Sequence, residues 1–314
     1  MDGRAAGMGW PRTSMSDATR SAGTGPATTG RLDVRKTYKL FIGGAFPRSE
    51  SGRSYPVLGK DGDLLAYAAK ASRKDLRDAV VAARGAFAGW SGATAYNRGQ
   101  VLYRVAEMME GRAAQFAAEV ASAEGLRPAK AEAVVSAAID RWVWYAGWSD
   151  KVAQVAGAAN PVAGPYFNFS VPEPTGVVAT LAPAESSLLG LVSVLAPVIA
   201  TGNTAVVIAS ELRPLPSVVL AEVLATSDVP AGVVNVLTGS TAELAPVAAD
   251  HMDVNAIDLT GARPADRTAL ERAAAGNLKR LVADHDGERW NDPPGTRRLL
   301  ATLEIKTVWH PAGT

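Results

Sequence analysis

One stretch constrains this chain more than any other: residues 173–210, EPTGVVATLAPAESSLLGLVSVLAPVIATGNTAVVIAS. From 186 to 210 it carries no charge. A helix that crosses a bilayer needs about 20 consecutive apolar residues, but Pro197, Gly202 and Asn203 interrupt this run. The pattern is instead strand, turn, buried helix, turn, strand. Residues 177–181 are apolar and rich in β-branched side chains, and Pro183 ends them. Residues 186–200 have helical length and are apolar on nearly every side, as a helix buried against a sheet must be. Thr201-Gly202-Asn203 supplies turn chemistry, and 205–208 is a second buried strand. Short links between strand and helix make this a βαβ unit.

The alternation continues downstream: helix 215–226, strand 233–237, helix 241–250, strand 255–259, helix 265–278 and strand 280–283. It predicts an α/β fold, a Rossmann-like and mostly parallel sheet with helices on both faces. Upstream, 38–42 and 55–58 are β-prone and flank Gly43-Gly44, which predicts an N-terminal hairpin. Ser72-x-x-Asp75 has the form of a capping box. The helix behind it carries Leu76, Val80, Ala83 and Phe87 on one stripe and closes at Trp90. Helices follow over 97–111, 112–124 and 129–155, the last bearing Trp142, Trp144, Tyr145 and Trp148. Residues 160–174 alternate, are studded with proline and form an edge ribbon that needs covering. Residues 1–34 are rich in Gly, Ser, Thr, Ala and Arg and lack an apolar signal-peptide core. A disordered extension and a cytoplasmic setting are expected.

Charge is balanced, 32 Lys+Arg against 31 Asp+Glu, which argues against nucleic acid and anionic membrane as partners. The 314 residues contain no cysteine, which removes disulfides, thiolate metal sites and any thiol nucleophile. His251, His285 and His310 lie far apart without ligand spacing, so no metal is expected.

The run EPTGVVA, the proline turn after it, APVIATGNTAVV and the pair Ser210-Glu211 resemble the coenzyme-binding domain of aldehyde dehydrogenases. The resemblance covers most of residues 38–284. It implies a coenzyme-binding domain over 35–284, with a protruding β-arm at about 158–175 that serves oligomerisation. The LEIKTVW segment at 303–309 resembles the strand with which these enzymes end and which joins that arm. Residues 285–314 are then linker and oligomerisation strand. The catalytic domain that carries the thiol is missing between them.

The resemblance also assigns positions. Where the family places an oxyanion-holding Asn after a Pro-Trp pair, this chain has Glu185 after Pro183-Ala184. The water-activating Glu follows an Asn-Leu-Lys-Arg run, kept here at 277–280, and is replaced by Asp284. Both positions are degenerate, so no catalytic residue is expected. Around the cofactor, Ile208 stands for a ribose-binding Lys, Glu211 is kept beside Ser210, and the Gly-Ser turn becomes Gly261-Ala262. Charge-assisted hydrogen bonds contribute about 1.5–3 kcal/mol each. The expectation is therefore no cofactor, with NAD or NADP held at most weakly by Glu211, Ser210 and Gly261. The implied role is a non-catalytic subunit that associates with a full-length aldehyde dehydrogenase or with itself. The alternatives are a residual NAD(P)-dependent oxidoreductase acting on aldehydes, a hydrolase using Asp284 or Glu185, and an NAD(P)-binding scaffold.

Overall fold

A computed structural model describes residues 34–282 and 289–312. From the N-terminal side, β1 (Thr37–Tyr38) is followed by β2 (Ser54–Leu58) and β3 (Leu64–Ala69). β2 and β3 form the hairpin, and β1 lies parallel to β3. This corrects the hairpin expected between 38–42 and 55–58. The cause is in the turns. Gly59 N donates to Asp63 O at 2.8 Å and closes β2 onto β3. The 43–44 turn instead delivers Phe41 to Val236, whose backbones exchange bonds of 2.9 and 2.7 Å.

α1 (Arg73–Gly92) starts at the expected capping box, with Ser72 Oγ accepting from Asp75 N and Asp75 Oδ2 accepting from Ser72 N at 2.7 Å. α2 (Ala95–Glu110), α3 (Ala113–Glu124) and α4 (Pro128–Trp148) follow, then a short α5 (Val152–Ala156). The expected single helix over 129–155 is thus two. Buried Ser149 turns its hydroxyl onto Tyr145 O, a back-bond that competes with the helical ladder where the chain breaks.

The rest of the chain alternates: β4 (Ala158–Asn160), β5 (Tyr166–Pro174), β6 (Val177–Leu181), α6 (Leu189–Ala200), β7 (Thr204–Ile208) and α7 (Leu215–Leu224). Then come β8 (Val234–Leu237), α8 (Thr241–Asp250), β9 (Ala256–Asp258), α9 (Pro264–Ala275), β10 (Arg280–Val282), α10 (Arg297–Ala301) and β11 (Leu303–Pro311).

Five of these strands make a wholly parallel sheet in the order β10-β9-β6-β7-β8. Period-2 geometry sends Val178, Ala205 and Val207 to one face, with α6, α7 and the α2–α4 layer. Val177, Ala179, Val206 and Ile208 face the other way, against α1, α8 and α9. Every residue of β6, β7 and β8 is buried, Thr180, Thr204 and Asn235 included, which is why these strands read as near-continuous apolar runs. The order reverses at β6, with β7 and β8 on one side and β9 and β10 on the other. Open α/β sheets bind ligands in the crevice outside the carboxyl ends of the strands at such a switch point.

β11, β5 and β4 form a separate antiparallel sheet. β11 pairs with β5 along its whole length, from Leu303 opposite Pro174 to Pro311 opposite Tyr166. Buried Asn203 roots it: its Nδ2 donates to Thr302 O at 3.0 Å while its Oδ1 accepts from Gly176 N at 2.8 Å. Among the described residues no helix is long and apolar enough to cross a membrane.

Candidate functional site

The crevice at the switch point is built by two turns. After β6 the chain runs through Ala182, Pro183, Ala184 and Glu185. After β9 it runs through Leu259, Thr260 and Gly261. Gly261 N donates to Leu181 O at 2.9 Å, and a Cβ on Gly261 would lie 2.1 Å from Ala182 O. Only glycine lets the two backbones approach this closely. Ala262 follows and offers no hydroxyl.

Ser210, at the end of β7, is buried and donates to Ala184 O at 3.3 Å while accepting from Arg213 N at 3.2 Å. Arg213 donates to Glu185 O at 2.7 Å. The Glu185 carboxylate is exposed and accepts from Trp290 Nε1 at 3.3 Å. Glu185, Ser210 and Gly261 therefore share one rim. Glu211 sits further along it, accepting from Thr241 N at the start of α8 at 3.1 Å. Burial, and then the charge of Glu211, push the Tyr55 hydroxyl up from its ordinary value. Ile208 is buried and points no cation at the rim. Asp284 lies outside the described residues.

The structure adds residues that motif reasoning misses. Arg298 and Asp258 form an ion pair of 2.9 Å whose side chains are 8% and 3% exposed. Arg298 Nη2 also reaches Thr260 Oγ1 at 3.1 Å, and its guanidinium lies 5.6 Å from the Trp290 ring centre. Arg141 donates to Ser193 Oγ at 2.7 Å and to the carbonyls of Trp290 and Asp292 at 2.8 Å. Asp258 carries a signal, since a carboxylate ending an apolar strand needs a partner once buried. Arg298, in the short α10 that follows a polar, turn-rich stretch, carries none.

Beside the rim, α8 and α9 enclose a cleft of about 160 Å³ lined by Thr241, Ala245, Pro246, Arg263, Ala269 and Leu270, among others. Its walls are small and apolar, and Arg263, paired to Asp266 at 2.6 Å and within the field of Glu211, stands at its edge. Among the described residues no group of three His, Asp or Glu side chains could hold a metal ion.

The model of the aldehyde dehydrogenase family matches residues 48–290. The chain belongs to the aldehyde dehydrogenase family. It is 32% identical to human retinal dehydrogenase 2 over 272 residues, which is 85% of this chain and 52% of that one. The crystal structure of HpcC from Thermus thermophilus superposes with a TM-score of 0.76 at 30% identity, over 80% of this chain and 48% of that one. The chain thus spans about half the length of the relatives it matches.

A further neighbour is an NAD+ complex of an aldehyde dehydrogenase from Bacillus cereus, at 27% identity and TM-score 0.73, over 79% of this chain and 50% of that one. The expectation of no cofactor, NAD or NADP being held at most weakly, is corrected by this kinship. The physical reason is that the sequence comparison counts lost side chains, at Ile208 and Ala262. Backbone and shape are left out of that count, and this chain has the switch-point crevice, the Gly261 turn and the α8–α9 cleft.

Proposed function

We propose that this chain is a non-catalytic member of the aldehyde dehydrogenase family that binds NAD or NADP and assembles, through the β11-β5-β4 sheet, with a full-length aldehyde dehydrogenase subunit. Residues 35–284 act as its coenzyme-binding domain, and the β4–β5 ribbon with β11 as its assembly element. The observation that carries this reading is that sheet. Tyr166, Phe167, Ile305 and Trp309 are 46–59% exposed on it. Sheet edges and clustered apolar side chains persist in soluble proteins when something covers them.

The absence of cysteine supports the non-catalytic part. Aldehyde oxidation through a thioester needs a thiolate to attack the carbonyl, and these 314 residues supply none. Glu185 would repel an oxyanion rather than hold it. The residues at the rim do fit part of a dinucleotide. Small walls in the α8–α9 cleft suit a planar base, the Glu211 carboxylate can accept from a ribose hydroxyl, and Arg263 can face a diphosphate. When bound, a nicotinamide dinucleotide supplies a hydride acceptor.

The test is sedimentation of the purified chain, alone and mixed with a complete aldehyde dehydrogenase from the same cells. A mixed oligomer supports the proposal, and a homo-oligomer identifies self-association as the use of the sheet. A chain that stays monomeric in both samples contradicts it.

A further inference from the structure

The two halves of a dinucleotide meet different conditions in this chain. A dinucleotide laid across a switch point has to cross between the tips of β6 and β9. On one face it finds the open α8–α9 cleft. On the other, the chain's own segment from Trp290 to Arg298 is already in place. Trp290 packs into the α6-side core, α10 packs on α6 and β10, and Leu299 is fully buried. Trp290 holds Glu185 at the β6 tip, Arg298 holds Asp258 and Thr260 at the β9 tip, and the guanidinium lies against the indole. These contacts form a connected bar across the mouth of the crevice. Arg141 fastens it from α4 through the carbonyls of Trp290 and Asp292. Below the bar, the contact between Gly261 and Ala182 leaves no room for even one added carbon.

We infer that the site recognises the adenosine diphosphate end of the dinucleotide alone, because the Trp290–Arg298 segment occupies the place the nicotinamide half would take. The inference rests on the dinucleotide reading above and sharpens it. The accepted ligands then form a class: ADP-ribose and ADP as well as NAD, with the nicotinamide end left in solvent. Size agrees. The cleft of about 160 Å³ is about half the lower end of the ~300–1,000 Å³ of pockets that enclose a whole drug-sized ligand. Swinging the segment out to admit the second half would strand Asp258, 3% exposed, without its guanidinium.

The experiment is calorimetric titration of the full chain with NAD+, ADP-ribose and nicotinamide mononucleotide. The expected result is that NAD+ and ADP-ribose bind within about threefold of each other, while the mononucleotide neither binds nor competes. NAD+ binding more tightly than ADP-ribose by a larger factor overturns the inference and leaves dinucleotide binding intact. Failure of NAD+ and ADP-ribose alike overturns both. Trp290→Ala supplies a second readout that needs no turnover: opening the bar is expected to raise NAD+ affinity while leaving ADP-ribose unchanged. An unaltered ratio of the two affinities in that variant shows that the segment is not the obstacle.

Discussion

Replacing Arg298 by alanine removes the partner of a carboxylate that water hardly reaches. The pair is 2.9 Å long, with 8% and 3% of the two side chains exposed. Breaking a buried ion pair from one side typically costs about 3–5 kcal/mol, because the remaining charge is left in a low-dielectric interior. Here the other oxygen of Asp258 keeps two bonds, from Thr260 N at 2.9 Å and Thr260 Oγ1 at 2.5 Å. That places Arg298→Ala at the lower end, about 3 kcal/mol. Removing both charges together, as Arg298→Met with Asp258→Asn, leaves neither member of this pair as a lone buried charge and should cost less than the single change. Urea denaturation followed by far-UV circular dichroism gives both numbers, provided the m-value is unchanged. A loss below about 1 kcal/mol for the single variant, or a double variant no better than the single, refutes the claim that this pair clamps the segment over the crevice.

Ser72→Ala deletes the acceptor of the capping box and should cost about 1 kcal/mol, read from the same denaturation curves. Burial first, against an opposing hydrogen bond from Tyr38, holds the Glu119 carboxyl above its ordinary value, so the folded state retains its proton longer than the unfolded chain. The stability this contributes is complete below the ordinary carboxylate value of about 4.3 and is lost as pH rises through the raised one. Thermal melts from acid to neutral pH should therefore show Glu119→Gln gaining on the parent as pH increases. Phe167→Asp and Trp309→Asp alter side chains that are 56% and 59% exposed, so they should leave the melting temperature nearly unchanged while abolishing assembly in sedimentation. Gly261→Ala puts a carbon 2.1 Å from Ala182 O and should destabilise by about 1–3 kcal/mol, with weaker NAD+ binding by calorimetry.

Much of the architecture is legible in the sequence because both periodicities are clean. The strand at 177–181 and the helix at 241–250 fall where the apolar pattern places them, since a strand buried on both faces is almost wholly apolar, with Thr180 the one polar residue here. The hairpin partner is hidden because β3, from Leu64 to Ala69 in register with β2, is half alanine and has no β-branched residue. The helix break at 149–151 is hidden because Gly147, two residues before it, lies inside α4 and no proline follows; the serine back-bond marks it. At the site, motif positions such as Glu185, Ser210, Glu211 and Gly261 can be located from the chain alone. Their partners cannot. Arg298 lies 40 residues from Asp258, and Trp290 lies 105 from Glu185. Pairings across such distances are decided by how residues 290–298 pack over the ends of β6 and β9, which no local pattern encodes.

The most direct test of the central claim is aldehyde-dependent nicotinamide reduction by the homogeneous chain, in the same sample whose NAD+ binding has been measured. The account predicts bound NAD+ and no reduction at any chain concentration. Reduction that rises in proportion to the amount of chain would contradict it.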